Sequence, residues 1–156
     1  MAAARHPVEK VVSGGQTGVD RAALDVALEL GIPCGGWCPR GRRALDGVLP
    51  ARYPLQETPS KAYNVRTEWN VRDTDATLIL NEGALEGGTA VTKVYAEQHG
   101  RPCLVIALDQ PRDMDAVDAW LTENRVEVLN VAGPREEKCP GIHARASEFL
   151  RALLSG

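Results

Sequence analysis

Aromatic residues are scarce in this chain: one phenylalanine, three tyrosines and three tryptophans among 156 residues. The scattered tryptophans are expected to pack in the interior, not to form a stacking surface. Net positive charge is also missing. A formal charge of −3 argues against a broad nucleic-acid footprint, which is usually strongly basic. No apolar run reaches membrane-spanning length, and the opening MAAARHPVEK has no apolar core of a signal peptide. Cysteines are few, at 34, 38, 103 and 139. The GGW between Cys34 and Cys38 fits neither a CxxC redox motif nor a paired zinc knuckle. All four are expected to be reduced thiols of a cytoplasmic protein, with Cys103 a buried small hydrophobe. His6, His99 and His143 are too scattered to share a metal, and no serine or cysteine elbow accompanies them. Neither a protein-ligated metal nor a catalytic dyad is therefore expected.

What is present is an ordinary globular composition, 44% hydrophobic and 25% charged, enough for one domain over residues 1–156 with a frayed start at 1–6. Short apolar segments alternate with segments of helical period. VEKVV, CGGWCP, ATLIL, PCLVIAL and VEVLNV predict strands. Val19, Ala23, Val26 and Leu30 share one face of a first helix, stopped by Gly31-Ile32-Pro33. Later helices are predicted with Ala62, Val65 and Trp69 inward, then Val91, Val94 and Tyr95, then Met114, Val117 and Leu121 behind an aspartate cap. The closing helix should bury Ile142, Ala146, Phe149, Leu150 and Leu153. Residues 40–60 show no period and several prolines, which reads as an irregular excursion. The later strands are continuous apolar runs, as when both sheet faces are covered. The fold class that follows is α/β, a Rossmann-like doubly wound, mainly parallel sheet with helices on both faces.

Two strand-to-helix corners are glycine-rich. In such sheets ligands sit beyond the carboxyl ends of strands, where helix N-termini present free N–H groups to anions. SGGQTG places Gly14, Gly15, Gln16, Thr17 and Gly18 at the first corner, followed by Asp20 and Arg21. EGGT places Gly87, Gly88 and Thr89 at the second. Neither is a P-loop or a GxGxxG fingerprint. Thr17 three residues before Asp20 also fits a helix cap, which would explain both without a ligand. Arg40, with Arg42 and Arg43, lies on the same sheet edge and could fork onto an oxyanion. Arg66, Asn70 and Asp73 fall on one flank of their helix, with Arg66 and Asn70 candidates to reach the ligand. Valine at Gly15 is expected to fill the ligand's approach and leave the fold largely intact.

SGGQTGVDRAALDVALELGIPCGGWCPRGRRALDGVLPARYPLQETPS, then RTEWNVRDTD, GGT and NVAGPREEKCPGI, resemble the family of putative molybdenum carriers. These are circularly permuted YpsA-like members of the SLOG Rossmannoid superfamily, and the resemblance covers nearly the whole chain. It implies carriage of molybdenum cofactor, molybdate or a related phosphate-bearing ligand, and a small anionic partner. The chain also resembles the Lonely guy phosphoribohydrolases of the same superfamily at LEGGTAVT, where Gly88 and Thr89 match their pattern. Thr92 stands where those enzymes carry a catalytic glutamate; Asp20, Glu68 or Glu86 could replace it only if the fold brings one close. Their helix arginine would correspond to Arg66 or Arg72. A nucleotide-sensing module is the third expectation. A homo-oligomer is expected if the last helices expose apolar surface.

Overall fold

The computed structural model describes residues 6–155. The frayed start expected over 1–6 lies outside those residues except for His6, whose ring nitrogen accepts the Val8 N–H at 3.2 Å. Among the described residues fourteen elements follow one another: β1 (Lys10–Val12), α1 (Val19–Leu30), β2 (Cys34–Gly35), β3 (Trp37–Cys38), β4 (Arg43–Ala44), β5 (Gly47–Val48), β6 (Gln56–Glu57), α2 (Tyr63–Arg72), β7 (Ala76–Asn81), α3 (Gly87–Gln98), β8 (Cys103–Ala107), α4 (Met114–Glu123), β9 (Val128–Ala132) and α5 (Ile142–Leu154). Five strands form a parallel sheet in the order β2-β1-β9-β7-β8. The last strand thus sits between the first and the seventh, Val11 facing Leu129 on one side and Ala76 facing Leu129 on the other.

One sheet face carries the main core. Val11, Ala76, Leu78, Leu80, Leu129 and Val131 pack against α1, α4 and α5 through Ala23, Val26, Leu121, Ile142, Phe149 and Leu150. Helix α1 runs over the predicted residues and ends on Gly31 at φ 72, the left-handed turn that a side chain would resist. Helix α4 is capped as expected: the Asp113 carboxylate accepts the N–H groups of Asp115 and Ala116. All five residues predicted inward on α5 are buried, so the last helix leaves its apolar stripe covered.

The other face differs from the expectation. On α2 the buried residues are Arg66, Asn70 and Val71, not Ala62, Val65 and Trp69. On α3 they are Thr89, Thr92 and Ala96, while Val91 and Val94 stand 38% and 48% exposed. The reason is what these side chains reach: Arg66 donates to the Gly14 carbonyl and Asn70 brackets the Trp37 main chain. On the sheet beneath, the Asn130 amide donates to the Thr77 hydroxyl at 3.1 Å in the interior. Strand β8 is half-buried throughout, Cys103 included, because it is the sheet edge.

Residues 40–60 are more ordered than their composition predicts. Strand β3 leaves the main sheet to pair with β6, and β4 pairs with β5. Between them lies a second small core of Leu24, Cys38, Ala44, Leu49, Tyr53 and Leu55. Arg42 ties it together, its guanidinium donating to the carbonyls of Leu55, Pro50 and Tyr53 at 2.9 Å each.

Candidate functional site

Helix α1 leaves β1 toward one face of the sheet, and α3 leaves β7 toward the other. The crevice that results, beyond the carboxyl ends of β1 and β9, is the switch point at which open α/β sheets bind ligands. A cavity of about 270 Å³ lies there. Its floor is Asn130 to Pro134 at the end of β9. Gly14, Gln16 and Asp20 form one wall, Arg66 and Asn70 of α2 a second, and Glu86 to Thr89 with Thr92 of α3 the third; Arg135 and Lys138 close the rim.

Of the sequence-predicted residues, Gly14, Gln16, Asp20, Arg66, Asn70, Gly87, Gly88 and Thr89 meet at this cavity. Gly15, Thr17, Gly18, Arg21 and Arg40 are turned to other tasks. A Cβ on Gly15 would come 2.6 Å from Leu55 and 3.0 Å from Leu49, so that position faces the small core and not the ligand's approach. Thr17 caps nothing with Asp20: its hydroxyl donates to Glu137 at 2.5 Å and accepts the Glu136 N–H at 3.3 Å. The helix instead begins from Gly18, which passes close under the Pro134 carbonyl. Arg21 forks onto Asp46 with two bonds of 2.9 Å, and Arg40 is exposed, away from the cavity.

The two corners also differ in their main-chain donors. At the first, the N–H of Gly15 is taken by the Ser13 hydroxyl, that of Thr17 by the Gln16 side chain, and that of Val19 by the Pro134 carbonyl. At the second, the helical ladder starts with Ala90 donating to the Glu86 carbonyl, and no side chain caps it. The N–H groups of Gly87, Gly88 and Thr89 lie ahead of that first bond, the arrangement that leaves a helix N-terminus open to an anion. A Cβ on Gly88 would stand in open space. Lys138 adds a cation beside it, 3.1 Å from Glu86.

Asn70 lines the cavity yet has both ends of its amide engaged, accepting the Trp37 N–H at 2.7 Å and donating to the Trp37 carbonyl at 3.0 Å. It holds β3 against α2. Arg66 donates to the Gly14 carbonyl at 2.7 Å and stands 3.5 Å from Asp20. Burial pushes the Asp20 carboxyl up to about 6, opposed by Arg66, the Gln16 N–H and Arg21.

Thr92, Asn130, Arg135 and Lys138 were not among the expected site residues. The signal that could have found Asn130, Arg135 and Lys138 is a third corner, Gly133-Pro134 after the last apolar strand, in NVAGPREEK. Its place in the middle of the sheet is invisible in chain order.

Comparison with known proteins accords with this architecture. The model of the circularly permuted YpsA SLOG family matches residues 11–154. The chain belongs to that family. As a family member it is also similar to a solved structure, that of a "Putative molybdenum carrier protein" from Syntrophus aciditrophicus SB. The two are 47% identical over 96% of each chain, with a TM-score of 0.92. No curated protein matches this member of the family. Among its described residues there is no helix long and apolar enough to cross a membrane, and no group of three or more His, Cys, Asp or Glu placed to hold a metal ion.

Proposed function

We propose that this protein is a molybdenum carrier that binds molybdenum cofactor, molybdate or a related phosphate-bearing ligand in the switch-point cavity. The observation that carries the proposal is the uncapped N-terminus of α3 opening on that cavity. Helix N-termini favour a negative group by about 0.3–1 kcal/mol, and up to about 2 when partly buried. Gly88 leaves room for the anion, Thr89 and Lys138 supply further donors, and the cavity extends from there toward Arg66 and Asp20. The residues present suit an anionic end group and an organic body. A bound molybdenum centre would bring its own ligands, and the protein's part would be to hold the surrounding anion. The similarity to a molybdenum carrier protein supports this reading.

The deciding experiment is elemental and mass analysis of what accompanies the purified protein. Molybdenum or a pterin is the expected result; a nucleotide without metal would move the assignment to sensing or hydrolysis. Hydrolysis of nucleoside monophosphates stands second because Asp20, a carboxyl with its pKa raised to about 6, lies in the cavity 3.5 Å from Arg66. Release of free base from AMP is its test. A homo-oligomer is part of the proposal, with the exposed Val94 of α3 as a contact outside the cavity, since the last helix covers its own apolar stripe.

A further inference from the structure

Strand β8 ends the five-stranded sheet, with β7 on one side and no strand on the other. In a parallel ladder alternate residues bond to the neighbouring strand. The Thr77 N–H donates to the Pro102 carbonyl at 3.0 Å and the Leu108 N–H to the Asn81 carbonyl at 2.8 Å, so Leu104 and Ile106 serve β7 as well. The main-chain groups of Cys103, Val105 and Ala107 therefore point away from the sheet. Among the described residues the Ala107 carbonyl accepts the Gln110 N–H at 3.1 Å, and no element pairs with those of Cys103 and Val105. Open edges are normally guarded by shortness, charge, proline or a bulge. The opposite edge, β2, is two residues long and leads into β3, which pairs elsewhere. Strand β8 is the apolar run CLVIA. Pro102 does not protect it, because its ring replaces an N–H on the β7 side.

Both faces beside this edge are also incompletely covered. On the α4 face, Leu104, Ile106 and Trp120 rest on the main core yet are only partly buried. On the α3 face Val94 is 48% exposed, and the exposed Lys93 and Glu97 lie close enough to Cys103 for their charges to act on its thiol. These two stand one helical turn apart, the spacing of an ion pair, yet form no salt bridge with each other or with any described residue. A positive and a negative charge flanking one point of an edge are self-complementary. A two-fold axis through Cys103 reverses strand and helix together, which brings Lys93 of one copy level with Glu97 of the other.

We infer that β8 is a docking edge and that its occupant is β8 of a second copy, paired antiparallel about Cys103, so that two five-stranded sheets become one. The inference rests on the homo-oligomer proposed above and names its interface. Pairing supplies partners for the outward amides, covers Leu104, Ile106 and Trp120, and joins Lys93 to Glu97 of the second copy on both sides of the axis. No β8 residue lines the cavity, so association leaves it open.

Analytical ultracentrifugation of the full-length protein over a wide concentration range tests it. The wild type is expected to reach twice the chain mass. Val105→Pro removes an outward N–H and no bond to β7, and should weaken association at least tenfold with an unchanged circular dichroism spectrum. Lys93→Glu changes only the helix surface. It should weaken association at least fivefold, and combining it with Glu97→Lys should restore affinity to within twofold. A dimer that a folded Val105→Pro protein or the Lys93→Glu protein forms with wild-type affinity overturns the inference, and leaves the homo-oligomer reading standing with its interface elsewhere. A wild-type chain that stays monomeric overturns both, and leaves the edge to a strand of another protein.

Discussion

Arg66 lies directly over Gly14. Its guanidinium donates to the Gly14 carbonyl at 2.7 Å, and a Cβ at position 14 would overlap the same nitrogen. The glycine is therefore needed for a protein side chain to pass, before any ligand is considered. Gly14→Ala should displace the Arg66 guanidinium into the cavity and lower stability by about 1.5–3 kcal/mol, the range for losing a hydrogen bond from a charged donor. Urea unfolding gives the loss. A crystal structure of the variant with Arg66 still on the residue 14 carbonyl would contradict the account.

Asp20 should reduce stability at neutral pH. Its folded pKa is about 6 against an ordinary 3.8, so between those values the folded chain keeps a proton that the unfolded chain has released. Stability tied to this group is therefore present below pH 4 and lost as pH rises through 6. Asp20→Asn removes that loss. The variant should be more stable than wild type by about 1–3 kcal/mol at pH 7.5, with the gap closing as pH falls toward 4. Paired denaturation curves at several pH values measure it, and a variant less stable than wild type at pH 7.5 would show the sign to be wrong.

Gly15 and Gly88 should behave oppositely. Gly15→Val forces a side chain into the Leu49 and Leu55 contacts from a backbone at φ 78, and should cost about 3 kcal/mol or more through strain and overpacking. Gly88→Val meets nothing in the protein and should leave the melting temperature within a few degrees, since a valine at a helix start is only mildly unfavourable. Binding of anionic ligand should be lost in Gly88→Val. Normal folding and normal binding in the Gly15 variant would refute the assignment of the first corner to packing.

Arg42 should be the main tie of the 40–60 segment. Removing a guanidinium that satisfies three carbonyls leaves those oxygens facing one another with only water to donate to them, and Arg42→Ala is expected to lose about 2–3 kcal/mol. Lysine cannot reproduce the fork and should rescue little. Limited proteolysis should cut the variant between residues 40 and 60 before the rest of the chain unfolds; wild-type resistance there would argue against the role.

The alternation of strand and helix, the α1 and α5 cores and the two glycine corners were legible in the amino-acid order. Each depends on near neighbours: helical period in Val19–Leu30, a cap in Asp113, and apolar continuity in Ala76–Leu80. Which corner stays open depends on contacts between distant parts of the chain. The first corner's amides at Gly15, Thr17 and Val19 are taken by Ser13, Gln16 and Pro134, and the last of these comes from the other end of the chain. The fold also turns Arg66 and Asn70 inward, not Val65 and Trp69, because their partners are the Gly14 carbonyl and the Trp37 main chain, brought in from distant segments. Periodicity marks an apolar stripe only where the partner surface is apolar, and that partner is assembled from strands far apart in the chain. Local physics wrote the elements; the insertion of β9 between β1 and β7 chose which of their ends would meet a ligand.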